Sequence, residues 1–459
     1  MPKKYDAIVI GAGMSGLAAG IRLAMFDKKV CILEKHVISG GLNSYYKRQG
    51  HNFDVGLHAM TNFVPKGTKR KPLTKLLKQL RIPYETFELN EQKQSKIVFP
   101  DKELTFTNNL EVLKQEVHEK FPDQIDGFVK LLVKIENFNE VALDNETVMA
   151  KDVVAQYISN EQLLEMIFCP LLIYGSAWEN DMDFSQFVIM FKSIYMEGFC
   201  RPKGGVRTVI DTLLEKFESL GGELLFRHEV TKLIHKDGKI QGVELKKGDI
   251  LEAPVVLSSM GYPETMARIE KEGKENPAVG KMTFTESIMI LDKKPIDMDF
   301  DTTIIFYNER DKYHYRSPEE LYDKKSAVIC FPNNFEIDDY NEGWIRVTNM
   351  ANFDKWKELE KPLYRQMKEE VFKDSVQITK NCLPNFDANI LYKDVFSPTT
   401  IQRYTGHFGG TVYGSTDKSR DGKTSIDGLY LIGTDQGFLG IVGSMLSGIS
   451  MANLYGLME

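Results

Sequence analysis

The sequence predicts an α/β fold in which a parallel-sheet domain is assembled from discontinuous segments and carries an inserted mixed α+β domain. Three observations predict it: a glycine-rich strand–turn–helix at the N-terminus, a second glycine-rich strand–helix pattern near the C-terminus, and long intervening stretches that match neither. At 459 residues the chain is too long for one ordinary domain and fits two or three, or one with a large insertion. Its 58 Lys+Arg against 65 Asp+Glu leave a net charge of −7. That balance argues against a nucleic-acid partner, which needs a positive surface facing phosphates. Hydrophobic residues at 42% and charged residues at 27% fit a packed core and exclude disorder as the main state. No run approaches the roughly 18 apolar residues of a membrane span, and Met1-Pro2-Lys3-Lys4 leads into a strand without a signal-peptide pattern. Cys31, Cys169, Cys200, Cys330 and Cys382 are odd in number and scattered. They form neither a disulfide framework nor a zinc set. No metal and a cytoplasmic location are the expectations.

The N-terminal element comes first. Ala7-Ile8-Val9-Ile10 reads as a buried parallel strand. It runs into Gly11-Ala12-Gly13-Met14-Ser15-Gly16, then a helix from Leu17, then a second strand, Val30-Cys31-Ile32-Leu33, closed by Glu34 and Lys35. Gly11 permits the tight turn, Gly13 lets backbone approach a pyrophosphate, and Gly16 lets the helix pack on the strand. The helix start at Met14 and Ser15 offers free N–H groups to phosphates, and Glu34 can accept hydrogen bonds from ribose hydroxyls. Either NAD or FAD fits this unit.

Three further segments favour FAD. Ser39-Gly40-Gly41-Leu42-Asn43-Ser44 places a glycine doublet where the chain must pass close to phosphates and ribityl. Pro202-Lys203-Gly204-Gly205-Val206 opens a helix to about Leu220, followed by strand-like segments at 221–226, from Val230, at 242–245 and at 253–259, the last leading to Gly261. Gly428-Leu429-Tyr430-Leu431-Ile432-Gly433-Thr434-Asp435 then feeds a small-residue helix with Gly440, Gly443 and Ser444 at its start, a second anion-binding end.

This combination resembles the phytoene desaturase, carotenoid isomerase and retinol saturase superfamily of FAD-dependent oxidoreductases. The matching stretches are 5–56, about 201–262 and 400–455. Gly40-Gly41-Leu42-Asn43-Ser44 and Phe53-Asp54-Val55-Gly56 are closer to the isomerases and saturases, because desaturases and amine oxidases usually carry Arg where Leu42 stands. The resemblance implies a Rossmann-like FAD-binding domain from 1–60, 200–285 and 396–459, with a substrate domain from 61–199 and 286–395. It implies that Glu34 binds the adenosine ribose, Val230 meets the adenine through its backbone, Asp435 binds ribityl or phosphate, and the helix opening near Gly443 points at the flavin pyrimidine edge. A helix N-terminus suits the negative charge of reduced flavin there.

The intervening segments read as either ordinary core or the wall of an apolar tunnel. Phe168-Cys169-Pro170-Leu171-Leu172-Ile173-Tyr174-Gly175 and the Phe- and Met-rich 184–199 carry that pattern, and the resemblance tilts it towards a tunnel for an isoprenoid or polyene. Lys66, Lys69, Arg70, Lys71, Lys75, Lys78 and Arg81 alternate with Leu73, Leu76, Leu77 and Leu80. Residues 66–81 are therefore either a peripheral contact with an anionic membrane at its inner face, or a solvated helix with its leucines turned inward.

The expected chemistry is FAD-dependent desaturation, saturation or cis–trans isomerisation of an apolar substrate. One GxGxxG motif suggests a transient electron donor, NAD(P)H being a candidate, and the absence of a cysteine near the last motif suggests non-covalent FAD. His58, Tyr404, His407 and Tyr413 are the acid–base candidates, the last three because the resemblance brings their segment to the isoalloxazine. The alternative is a flavin amine oxidase acting on a small amine. A NAD-dependent dehydrogenase, a flavin-binding scaffold and an electron-transfer protein are the remaining classes.

Overall fold

The computed structural model describes residues 2–56, 58–270 and 275–458. A five-stranded sheet runs in the order Glu223–Phe226, Val30–Glu34, Ala7–Ile10, Val255–Ser258, Leu429–Leu431, with every neighbouring pair parallel. Strands buried on both faces must be apolar throughout, and the alternation shows what covers each face. Ala7 and Val9 pack with the helices Met14–Ala24, Val206–Ser219 and Gly440–Met451. Ile8 and Ile10 pack with Val230, Leu233, Ile240 and Val243 of a four-stranded meander in the order Lys3–Lys4, Ile250–Glu252, Lys239–Leu245, Val230–Lys236.

Two glycines set the helix layer against this sheet. A Cβ on Gly16 would stand 1.9 Å from the Gly11 carbonyl oxygen, and one on Gly448 would stand 2.0 Å from that of Ser15. The helices Met14–Ala24 and Gly440–Met451 therefore cross in near backbone contact. The role expected for Gly16 is thus seen as packing.

A seven-stranded mixed sheet carries the second layer, in the order Ile390–Phe396, Thr283–Leu291, Gly343–Ala351, Ser326–Cys330, Ile304–Asn308, Ser95–Val98, Glu103–Phe106. One face is covered by Glu161–Gly175 and Phe184–Phe191, the other by Lys361–Lys380. Two expected boundaries move. Thr283–Leu291 runs unbroken across 285–286, so 283–285 belong to the seven-stranded unit. Leu73, Leu76, Leu77 and Leu80 of the helix Pro72–Leu80 join the core beside the parallel sheet. The apolar side chains of 61–82 therefore pack beside that sheet, while Asn62, Phe63 and Lys71 also bond to Ser193, Glu197 and Gly198. The same burial removes the leucine face from any membrane; the exposed side chains of 66–81 are its basic ones.

Candidate functional site

One cavity of about 1570 Å³ runs from the glycine motifs into the inserted unit. At one end it is lined by Glu34, Lys35, His228, Val230 and Arg268, and along its length by Gly11, Gly13, Met14, Ser15, Gly40, Gly41, Leu42, Asn43, Gly433, Gly443 and Ser444. At the far end Ile173, Tyr174, Ile189, Met190, Phe284, Val328 and Val412 form an apolar chamber, together with His58 and Tyr413.

The first end is built from backbone. Gly11 adopts φ +97°, the left-handed region open to glycine, and turns the chain into the helix that begins at Met14. The Gly40 N–H donates to the Ala12 carbonyl at 2.8 Å, which docks the doublet on the first motif. A Cβ on Gly13 would lie 3.9 Å from the Gly40 oxygen and the Gly41 Cα, so the two glycine segments face each other across a narrow slot. The Glu34 carboxylate is buried and accepts from the Ala12 and His36 N–H groups at 2.9 and 2.8 Å. It fixes the turn and still has lone pairs for a diol. Asp54 joins two further motifs: Oδ2 accepts from Arg201 at 2.6 Å and Oδ1 from the Val206 N–H at 3.2 Å. A slot of bare backbone, a helix start and a buried carboxylate at the required order fit a dinucleotide.

Two expected contacts are corrected. The Asp435 carboxylate turns away from the cavity and accepts from the Tyr262 N–H at 2.6 Å, the Ser415 N–H at 2.9 Å and Lys418 Nζ at 3.0 Å. With its acceptors taken up by three protein donors, it is a clasp between loops. Gly261 lies off the cavity wall, where its φ of +106° starts the helix Tyr262–Met266 and a Cβ would meet Glu264 at 2.2 Å. The carbonyl of Val230 already accepts from Arg268 Nε at 3.1 Å.

The four acid–base candidates separate. Tyr404 is about half exposed and edge-on to His36, with centroids 5.2 Å apart. His407 is buried beside Glu264, with Nδ1 3.8 Å from Oε1. A Cβ on neighbouring Gly406 would meet Lys35 Nζ at 2.5 Å. Both candidates thus sit at the Glu34–Lys35 end, and the turn at Gly409 and Gly410 (φ +65° and +58°) separates them from Tyr413. Tyr413 does reach the chamber, but its hydroxyl donates to the Ile173 carbonyl, and burial raises its pKa. Glu264, unmarked in the sequence, has its pKa pushed by burial up to about 7.

His58 lines the chamber. Its Nε2 lies 3.2 Å from Glu286 Oε1 and 3.1 Å from Thr348 Oγ1, and Arg346 Nε donates to the same Glu286 oxygen at 2.6 Å. Burial pushes the Glu286 carboxyl up, but Arg346 and His58 hold it below its ordinary value. Burial, with Arg346 adding to it, holds the imidazole pKa below its ordinary value despite Glu286, so the ring is neutral at pH 7. An ionised carboxylate only accepts, so Nε2 carries the proton and Nδ1 keeps a lone pair. Sheet register makes this cluster: Glu286 pairs with Thr348 and Ile288 with Arg346, which puts the three side chains on one face. A single charge inside each of two apolar strands, Thr283–Leu291 and Gly343–Ala351, was the available signal.

A parallel-sheet dinucleotide slot opening into an apolar chamber defines a flavin-dependent oxidoreductase. The family model described as flavin containing amine oxidoreductase matches residues 14–454, and the chain belongs to that family. It is similar to chloroplastic prolycopene isomerase of Arabidopsis thaliana, 26% identical with 98% of this chain and 82% of the relative covered. It is also similar to all-trans-retinol 13,14-reductase of Danio rerio, 25% identical over 99% of this chain and 86% of the relative. Among solved structures, an oxidoreductase from Methanosarcina mazei aligns with a TM-score of 0.68 at 16% identity, covering 98% of this chain and all of that one. A putrescine oxidase triple mutant aligns at 0.63 and 13%, covering 98% of each chain; these two likenesses concern the fold.

Proposed function

We propose that this flavoenzyme acts on C–C or C=C bonds of an apolar isoprenoid or polyene, by desaturation, saturation or cis–trans isomerisation. The observation that carries the reading is the apolar chamber of Ile173, Ile189, Met190, Phe284, Val328 and Val412, continuous with the dinucleotide slot. The names of the isomerase and reductase relatives support it. When bound, FAD supplies hydride or electron-pair transfer at its ring. The chain's own residues do the rest. Glu34, the first-motif turn and the doublet hold the dinucleotide; the chamber orients a long apolar molecule and excludes water; His58, fixed by Glu286 and Thr348, offers a neutral imidazole to take or return a proton. Among the described residues no cysteine lines the cavity, which supports non-covalent FAD.

A small amine is the competing substrate class. The chamber's carboxylate, Glu286, is already neutralised by Arg346, which leaves no free anion for an ammonium group. The test is anaerobic spectroscopy of purified protein with dithionite, NADPH or NADH, followed by a polyene. A bleached flavin spectrum and a polyene spectrum that shifts only with reduced protein support the reading and identify the donor. Reducible flavin with no polyene response, and peroxide release from amines, would replace it.

Membrane contact belongs to the same reading. Arg70, Lys71 and Lys75 line the cavity with Glu136, Glu140 and the exposed Val141. Exposed cations beside exposed aliphatics at the opening suit an anionic bilayer surface, here the cytoplasmic face. No helix among the described residues is long and apolar enough to cross a membrane.

A further inference from the structure

His58 and Glu286 line the cavity and keep 14% and 11% of their side-chain surface, whereas Arg346 is buried and off the cavity wall. Arg346 acts on the chamber through one atom. Its Nε and Nη2 both lie 2.6 Å from Glu286 Oε1, the oxygen that also faces His58 Nε2 at 3.2 Å. The guanidinium and imidazole nitrogens are therefore at most about 6 Å apart, close enough for the charge to act on the ring. A carboxylate beside a histidine, by itself, makes the ring more basic and draws a proton onto it. A guanidinium on the same oxygen cancels that anion. The other titratable groups around the cluster are paired or uncharged. Asp54 is bound to Arg201 at 2.6 Å, and burial raises the pKa of Tyr46, Tyr174, Cys330 and Tyr340, so these four carry no charge in the working range.

We propose that Arg346 is a positioning residue of the reaction: its charge, passed on through Glu286, keeps His58 neutral, so that the Nδ1 lone pair stays free to take a proton from the substrate. This rests on the role given to His58 above and deepens it. Without the guanidinium the same carboxylate would hold an imidazolium, with Nδ1 already protonated and no lone pair left to accept.

The test follows the ring of His58 by NMR across pH in flavin-loaded protein isotope-labelled at histidine Cε1, with the signal assigned by its loss in His58→Gln. The unmodified protein is expected to show a midpoint below about 6.5. Arg346→Gln should raise it by about 1–3 pH units, and Arg346→Lys, which keeps the charge, should leave it close to the unmodified value. Glu286→Gln removes the anion and keeps the cation, so it should move the midpoint down, and it carries the test if Arg346→Gln does not fold. The acid limb of the pH–rate profile for polyene turnover should follow the midpoint in each variant. A midpoint unmoved by Arg346→Gln or Glu286→Gln, or moved as far by Arg346→Lys as by Arg346→Gln, overturns the inference and leaves His58 as the proton carrier. A midpoint that moves while the rate profile stays put overturns both the inference and the role of His58.

Discussion

Arg346 and Glu286 form a buried ion pair, Nε to Oε1 at 2.6 Å, on adjacent strands and two residues apart in register. Taking one partner away strands the other charge in a dry site, which costs about 3–5 kcal/mol, whereas replacing both with apolar residues is often close to neutral. Arg346→Leu should therefore lower the urea midpoint sharply, and Glu286→Leu added to it should restore most of the loss. A double variant no more stable than the single one would count against the pair as the cause.

His58 draws its orientation from that pair. His58→Ala is expected to reduce turnover by about 10²-fold or more, the usual range for a lost general acid or base, while flavin content and polyene affinity hold. Unchanged turnover would remove His58 from the machinery.

The crossing at Gly448 leaves no room for a methyl group, because the atom in the way is backbone. Gly448→Ala should push the two helices apart, cost about 1–3 kcal/mol, and loosen flavin. The ratio of flavin to protein absorbance after gel filtration checks this; full occupancy would show that the helices can move without disturbing the slot.

Stability should respond to pH through opposed groups. Burial lowers the pKa of both His58 and His407, so below about 6.5 the unfolded chain takes up protons that the folded chain refuses, and stability falls as pH drops through that window. Glu264 acts in reverse. Its pKa rises from 4.5 to about 7 on folding, so its contribution is lost as pH rises between those values. Glu264→Gln should raise Tm at pH 8 by an amount equivalent to about 1–3 kcal/mol and change little at pH 5. Equal shifts at both values would exclude titration as the origin.

Lipid binding, if it runs through exposed cations and not leucines, should be electrostatic. Flotation with anionic vesicles at low salt is expected to carry the protein up, and neutral vesicles or high salt to abolish it. Lys71→Glu with Lys75→Glu should weaken it. Flotation with neither vesicle would exclude the contact.

The dinucleotide end was legible because its parts are contiguous: strand, turn, helix start and Glu34 lie within the first forty residues, and each turn needs glycine. The chamber was not. Glu286 and Thr348 meet through strand pairing, and His58 reaches them from a loop more than two hundred positions away in sequence, which no local pattern encodes. Asp435 looked like a ligand because its neighbours form a glycine-rich helix start, yet backbone donors from two other loops occupy it.

The edge strand Leu429–Leu431 pairs with Val255–Ser258, and the helix after it closes against Ser15 at Gly448. During synthesis the N-terminal motif emerges first, but its opposite wall, the helix Gly440–Met451, lies more than four hundred residues further along the chain. The flavin slot therefore stays open on that side until the chain through 451 has been made. A chain ending between 35 and 428 would keep the nucleotide fingerprint and lack the helix that closes the groove.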